Sequence, residues 1–552
     1  MNPFSKTCSV VGLYCRTVKY LKISQILYRV KNYVIKPSTP SLADMVIYRP
    51  ENLKCELRFP IKNQSFFGNN KFRFLNRMES LSFPKDWNNK DRPLLWSYNL
   101  HYFDGILDPC TPEYSKEKLI NMWISDNPAK FGIGWQPYPI SLRICNWIKW
   151  IWLKNGSVDQ LVISSLFQQT IYLCKTLEFH LLGNHLLENA KALIFSGYFF
   201  GGMQGEKWKR TGIKILRAEL TEQILDDGGH FELSPMYHAI VLDLVLDILQ
   251  LSKNKTTCEE LVSLRLFLEE IVLKMNGWLA KMCHSDEEIS YFNDAAVGIA
   301  PSPKEIQERV SELVGSRRES VSSQLTYLSD SGFVRFFSQD AILIMDVGEV
   351  GASYLAGHGH ADTLSLELSL FSQRVLVNLG TSEYGFSDRR SYERGTSAHS
   401  TMEINERNSS EVWGGFRVGR RAVVDRLSFE GEQSVTASHN GYKYLSGAPR
   451  HLRKVVFRER SILIEDSVKG PYESAKVYFH FHPSVNIVQD RDGLRGCIKM
   501  ADKRVIFWNT TAGDAVIVPS KFAAGFGDLR QSSTLVLVPH KNKPCNLELS
   551  WK

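Results

Sequence analysis

The hydrophobic pattern changes period partway along this chain, and that change limits the fold more than any other feature. Up to about Val314, apolar residues recur at helical spacing: Ile140–Leu153, Asp159–Phe179, His185–Phe199, Lys207–Leu225, Tyr237–Ser252 and Cys258–Met282. Gly156, Gly183, Gly201-Gly202, Gly228-Gly229, Pro137 and Pro235 punctuate these runs. After about Ser323 the apolar residues alternate: Gly332–Phe337, Ala341–Val347, Thr363–Phe371, Arg374–Leu379, Val455–Arg458, Ser461–Glu465, Ala475–His482 and Thr534–Val538. Helices first and strands second predicts two separate layers of structure, not one mixed sheet. Repeated helix pairs predict stacked α-hairpins, as an open solenoid or a closed α/α toroid. Short polar turns such as Ser372-Gln373 and Glu459-Arg460 predict antiparallel stacked sheets.

This reading divides the chain into an N-terminal extension (1–86), a helical domain (87–315) and a β domain (323–552). The segment Asn293–Arg317, with Pro301 and Pro303, joins the last two. Pro37, Pro40, Pro50 and Pro60 interrupt the extension, where the pattern predicts a helix over Tyr20–Val34. A length of 552 residues exceeds one ordinary core, which agrees with this division.

The formal net charge of +8 is spread along the chain and suits acidic partners. No C2H2, RRM or basic-zipper pattern appears, so an acidic polysaccharide fits better than nucleic acid. No bilayer-length stretch is free of charges, so no transmembrane segment is expected. The ten cysteines are scattered, with no CxxC pair, and read as free thiols suited to a reducing compartment. Met1–Lys22 has a short apolar patch broken by Arg16 and Lys19, a poor signal peptide.

Gly357-His358-Gly359-His360-Ala361-Asp362 runs into a strand-like stretch. If the strand geometry reaches back into it, His358, His360 and Asp362 share one side. Two imidazoles and a carboxylate there suit proton transfer, metal binding or a polar cap on a sheet. In Gly183-Asn184-His185-Leu186-Leu187-Glu188, Asn184 is an expected N-cap, and His185 and Glu188 share a helix face. Asp226 to His238 contains Gly228-Gly229, then Ser234-Pro235 as a helix start, which puts Tyr237 in the first turn. A tyrosine there leans into a cavity or bonds a carbonyl; as a base it needs help, since its ordinary pKa is about 10.

Two further stretches are candidates for sugar contact. In Arg394-Gly395-Thr396-Ser397-Ala398-His399-Ser400-Thr401, Arg394 suits a carboxylate and His399 suits the His358/His360 group. In Gly134-Trp135-Gln136-Pro137-Tyr138-Pro139-Ile140-Ser141-Leu142-Arg143, Trp135 and Arg143 suit stacking and charge contacts with sugars, or ordinary packing. His480 and His482 also share a strand face.

Taken in order, these segments, together with Trp96-Ser97-Tyr98-Asn99-Leu100-His101-Tyr102-Phe103, resemble the heparinase II/III family of polysaccharide lyases. The resemblance implies a multidomain α + β chain: an N-terminal α/α toroid, an incomplete barrel of helical hairpins, then a C-terminal antiparallel β-sandwich. It implies cleavage of uronic-acid-containing polysaccharides by β-elimination. Asn184 then neutralises the uronate carboxylate, with His185 and Glu188 beside it. Tyr237 is a base, an acid or both, and His358 is its partner across the cleft. Which of them takes the C5 proton depends on the epimer, glucuronate or iduronate. The resemblance also implies export to the periplasm or cell envelope, against the weak signal peptide.

The reaction requires no cofactor. Some members hold a structural zinc or calcium ion, and His360 and His399 match its ligand positions. The third ligand is expected from an Asp-x-Gly turn, which here reads Asn378-Leu379-Gly380. Two alternatives remain at this level. An α/α-toroid glycoside hydrolase needs two opposed carboxylates, for which Asp227 and Glu232 are candidates. A non-catalytic exopolysaccharide-binding or assembly protein needs only the fold.

Overall fold

A computed structural model describes residues 3–35, 37–38, 59–60, 64–154, 158–253, 259–315 and 323–552. The helical part is an α/α toroid. Its helices include Pro137–Lys154, Gln160–Lys175, Gly183–Phe200, Gly202–Gln223, Pro235–Lys253, Glu259–Lys281 and Pro303–Val314. Every residue of Gly183–Phe200 except His185 is buried, including the polar Asn184, Glu188, Asn189 and Lys191, as expected of a helix enclosed by neighbours on every side. Glycines set its spacing from the next helix: a Cβ at Gly197 would lie 2.7 Å from the carbonyl oxygen of Gly205. Pro235–Lys253 is apolar and long enough to cross a membrane, but it is 94% buried inside the toroid.

The β part is a sandwich of two antiparallel sheets. One sheet is ordered Val424–Glu430, Ser434–His439, Arg450–Arg458, Ser461–Lys469, Cys545–Ser550, Val505–Thr510, Arg495–Lys499 and Asn486–Gln489. The other is ordered Asp514–Gly525, Asp528–Val538, Ala475–Phe481, Gln373–Val377, Leu366–Leu370, Ala341–Asp346, Phe333–Phe337 and Leu325–Leu328, with Met402–Ile404 paired to Ala475–Phe481. Leu343, Leu368 and Phe479 of this sheet meet Val455, Ile464 and Leu547 of the other in one core.

Its opposite face packs on the toroid. Ile342, Ile344 and Phe333 meet Leu233, Trp278, Met282 and Phe292. This sheet is therefore covered on both sides, and Ala341–Asp346 is buried throughout. Arg450–Arg458 in the other sheet alternates buried and half-buried residues, because one of its faces meets water.

The N-terminal extension holds two helices, Pro3–Val18 and Ile23–Val34. The first was not expected, and the second begins three residues later than the predicted Tyr20. These helices bridge both domains. Arg16 pairs with Glu411 at 2.8 Å and Tyr14 packs edge-on against Trp413, both in the β part. Tyr28 stacks on Phe179 of the toroid at 4.8 Å. Most of Pro37–Pro60 lies outside the described residues.

Candidate active site

Between the toroid and the sandwich lies a cleft of about 1570 Å³. Asn184, His185, Glu188, Tyr237 and His358 all line it, so residues up to 174 positions apart in sequence share one cavity. Glu232, Tyr138, Tyr384 and Phe416 line it too.

Tyr237 is held by the start of its helix. Its backbone N–H donates to Ser234 Oγ at 3.2 Å, and Ser234 Oγ donates to the Asp294 carbonyl at 2.5 Å. Its ring stacks on the His358 imidazole, with centroids 3.9 Å apart. Its hydroxyl lies 3.0 Å from that of Tyr384. Burial pushes the Tyr237 phenol well above its usual pKa, and the neighbouring Tyr384 and Asp294 push it further. Tyr237 therefore rests protonated.

His358 sits in a loop, because the strand begins only at Leu366. Leu364, at φ +65°, breaks the extended geometry between the motif and that strand. The expected shared face of His358, His360 and Asp362 is thus absent. One carboxylate does the gathering instead. Asp294 Oδ2 accepts from His358 Nδ1 at 2.8 Å, and Oδ1 from His360 Nε2 at 2.8 Å. Arg390 grips the same carboxylate with both Nη atoms, at 2.7 Å for Nη2, and Thr381 Oγ1 adds a contact at 3.3 Å. Burial pushes the Asp294 acid up, but Arg390, His358 and His360 outweigh it and hold it well below the carboxylate range. A permanent carboxylate on Nδ1 fixes the tautomer, leaving Nε2 of His358 as the free nitrogen. That atom lies 3.7 Å from Glu232 Oε2.

Asp362 goes elsewhere. It is buried and accepts the Asn293 N–H at 3.4 Å, and burial raises it to about 6. Asn184 is not the N-cap either, because the helix starts one residue earlier, at Gly183. Its side chain is buried on the cleft wall. His185 pairs with Glu178 at 3.1 Å and packs on Tyr138, rather than pairing with Glu188. Burial disfavours a charged His185, but Glu178 outweighs this and raises its pKa. Glu188 faces Lys191 at 4.0 Å, and burial raises its carboxyl. Burial likewise raises Glu232, whose Oε2 has no hydrogen-bond partner.

Three expected sugar contacts lie outside the cleft. Trp135 is 3% exposed, and its indole N–H donates to the Asn127 carbonyl at 3.1 Å. Arg143 is fully buried and donates to Gln169 Oε1 and to the carbonyls of His101 and Gly134. Arg394 is fully buried and donates to the Gly359 carbonyl at 2.9 Å, bracing the histidine loop from behind. A Trp and an Arg beside prolines look alike in sequence whether they face a sugar or a core. Asp227 also faces away, accepting from the N–H groups of Ser331 and Gly229. Asp227 and Glu232 are therefore not opposed across this cleft. His480 and His482 are structural: His480 Nδ1 meets Thr534 Oγ1 at 2.7 Å, and His482 Nδ1 meets Ser484 Oγ at 2.7 Å.

The residues around the candidate metal position fit a metal poorly. His360 Nδ1 and His399 Nε2 face each other at 3.3 Å. Asn378 Oδ1 accepts the Ser400 N–H at 3.2 Å, and its Nδ2 is unpaired. Zinc takes about four ligands, usually with thiolate or carboxylate among them, and calcium roughly six to eight oxygens. Two imidazole nitrogens and a neutral amide meet neither need. Among the described residues, no group of three His, Cys, Asp or Glu side chains could hold an ion.

Asp294, Arg390 and Tyr384 were missed in the sequence. Asp294 follows Asn293 in the linker, and nothing local distinguishes it from a turn residue.

The chain matches two family models, heparinase II/III N-terminus over residues 114–311 and heparinase II/III-like C-terminal over residues 321–552. It is 23% identical to a heparin-sulfate lyase from Bacteroides stercoris over 56% of this chain and 47% of that relative. It is 21% identical to a heparin-sulfate lyase from Bacteroides thetaiotaomicron over 84% of this chain and 73% of the relative. The first match thus spans about half of the relative's length. A solved structure of heparinase III superposes with a TM-score of 0.66 at 17% identity, covering 94% of this chain and 88% of the other. It shares the toroid and sandwich.

Proposed function

The chain belongs to the heparinase II/III-like family, and on that premise we propose that it is a carbon–oxygen lyase cleaving a uronic-acid-containing acidic polysaccharide by β-elimination. The observation that carries this is the Tyr237–His358 stack, formed by residues of two domains at the cleft surface.

Elimination breaks the C5–H bond and the C4–O bond of the uronate and forms a C4=C5 double bond. The C5 proton leaves only if negative charge on the carboxylate is relieved. Asn184 supplies an amide donor there, beside His185 and Glu188. Nε2 of His358 accepts the C5 proton, since Asp294 holds the other ring nitrogen. Tyr237 rests as a phenol and donates to the departing glycosidic oxygen. In the other epimer the C5 proton changes face while the C4–O bond does not, so Tyr237 keeps the acid role and takes the C5 proton only once its phenol is ionised. Trp135, Arg143 and Arg394 have no part in sugar contact, and no metal takes part in these steps.

Incubation with a panel of uronate polymers, bacterial exopolysaccharides included, tests this. Ultraviolet absorbance from the new double bond is expected, and Tyr237→Phe lowers the rate on the order of 10²–10⁴-fold with unchanged melting. Reducing ends without that absorbance would indicate a hydrolase. Equal polymer binding by both proteins, with turnover in neither, would indicate a binding protein.

A further inference from the structure

The helix Ile23–Val34 is amphipathic in the reverse sense. Its polar face meets the protein. Gln25 is 1% exposed and donates to the Leu181 carbonyl at 3.3 Å, Tyr28 stacks on Phe179, and Asn32 meets His180 at 3.2 Å. Its apolar stripe meets solvent. Ile23, Leu27, Val30 and Val34 recur at helical spacing and are 76%, 63%, 57% and 70% exposed. Ile26 and Tyr33 widen the stripe. The preceding helix adds Val10, Val11 and Val18, also exposed. A contiguous apolar surface of this kind marks an interaction site.

Charge indicates which partner. From Met1 to Ala43 the sequence has seven Lys and Arg residues and no Asp or Glu. Arg16 and Lys22 are spent on Glu411 and Glu222. Lys31 is exposed beside the stripe, and Arg29 is exposed on its other side, where it lines the cleft. An apolar stripe flanked by cations, on a segment with no Asp or Glu of its own, is the pattern of a helix lying in a membrane interface. A protein partner or second copy would need no such one-sided charge.

We propose that the Pro3–Val18 and Ile23–Val34 helices form a docking surface for an anionic lipid bilayer. Thr17, Gln25 and Arg29 of the same helices line the cleft, so docking holds the cleft beside the membrane. Phosphate headgroups meet Lys31, while Ile23, Leu27, Val30 and Val34 enter the acyl boundary.

The test is co-sedimentation of the full chain with phosphatidylcholine vesicles, with and without about 30% phosphatidylglycerol. Binding is expected to be at least about tenfold tighter with the anionic lipid and to weaken with salt. Leu27→Glu with Val30→Glu should abolish it without changing the melting temperature, because neither side chain is packed. Val505→Glu, an exposed apolar position in the β-sandwich, should leave binding unchanged. Equal binding to both vesicle types, or none to either, overturns the proposal. So does a dimer in solution that the Leu27/Val30 double variant dissociates, since a second copy would then cover the stripe.

Discussion

Two buried carboxylates, Asp294 and Asp247, are built alike and serve different ends. Each is surrounded by cationic or proton-bearing groups. Asp247 accepts from Lys149 at 2.5 Å, Lys191 at 2.8 Å and Arg309 at 2.9 Å. All of these stand on toroid helices, so Asp247 fastens four helices to one another. Asp294 draws all its side-chain partners, His358, His360, Thr381 and Arg390, from the β domain. It therefore fastens one domain to the other, and its partner His358 reaches the cleft from the β side, whereas Lys149 and Lys191 of the Asp247 cluster reach it from the toroid wall. A buried ion pair is weak evidence for stability but strong evidence for fixed geometry. Where the fixed geometry ends on an imidazole nitrogen that lines the cleft, it can serve chemistry.

The largest expected effect is on turnover. His358→Gln should lower it on the order of 10²–10⁴-fold with little change in melting, because the side chain sits at the cleft surface. Lys191→Met, on the toroid wall of the cleft beside Glu188, should lower stability and move the rate less than His358→Gln does. Comparable rate losses in both variants would erase the distinction.

Next are the carboxylates themselves. Removing either strands buried cations, so Asp247→Asn and Asp294→Asn should each cost about 3–5 kcal/mol in urea unfolding. Only Asp294→Asn should also change the pH profile of turnover, because only it sets the tautomer of His358. An unchanged profile would separate Asp294 from the chemistry.

Arg143→Ala should cost about 3 kcal/mol of stability by orphaning three buried acceptors, with KM for any polymer unchanged in correctly folded enzyme. A KM effect would return Arg143 to the cleft. Smallest per residue is the acid response. Burial lowers His101, His238 and His480 to about 3. An unfolded His takes its proton near 6.5. Between those values the unfolded chain binds more protons, so stability is full above about pH 6.5 and falls as pH drops toward 3. Each histidine contributes on the order of 2 kcal/mol of loss by pH 5. A melting temperature flat from pH 7 to 4.5 would contradict this burial.

Much of the fold was legible because periodicity is local. Tyr237–Ser252 became Pro235–Lys253, and Ala341–Val347 became Ala341–Asp346. Val455–Arg458 was read short: the strand starts at Arg450, where the inward positions are taken by buried His451 and Arg453 instead of apolar residues. The site was half legible. The GHGH motif and the Ser-Pro start ahead of Tyr237 stood out. The motif's strand geometry did not survive, because Leu364 turns the chain before Leu366. Trp135 and Arg394 looked like ligand-facing residues and proved to be internal braces, since burial depends on neighbours far away in sequence.

By itself, then, the sequence determined where helices give way to strands, because each element's period is written in adjacent residues. It also determined which residue types were available for proton transfer. Only the tertiary structure decided that His358 and His360 meet on the two oxygens of Asp294, and that Tyr237 lies against His358. It alone turned the apolar stripe of Ile23–Val34 outward. Those outcomes depend on how the two domains close on each other, which no local pattern encodes.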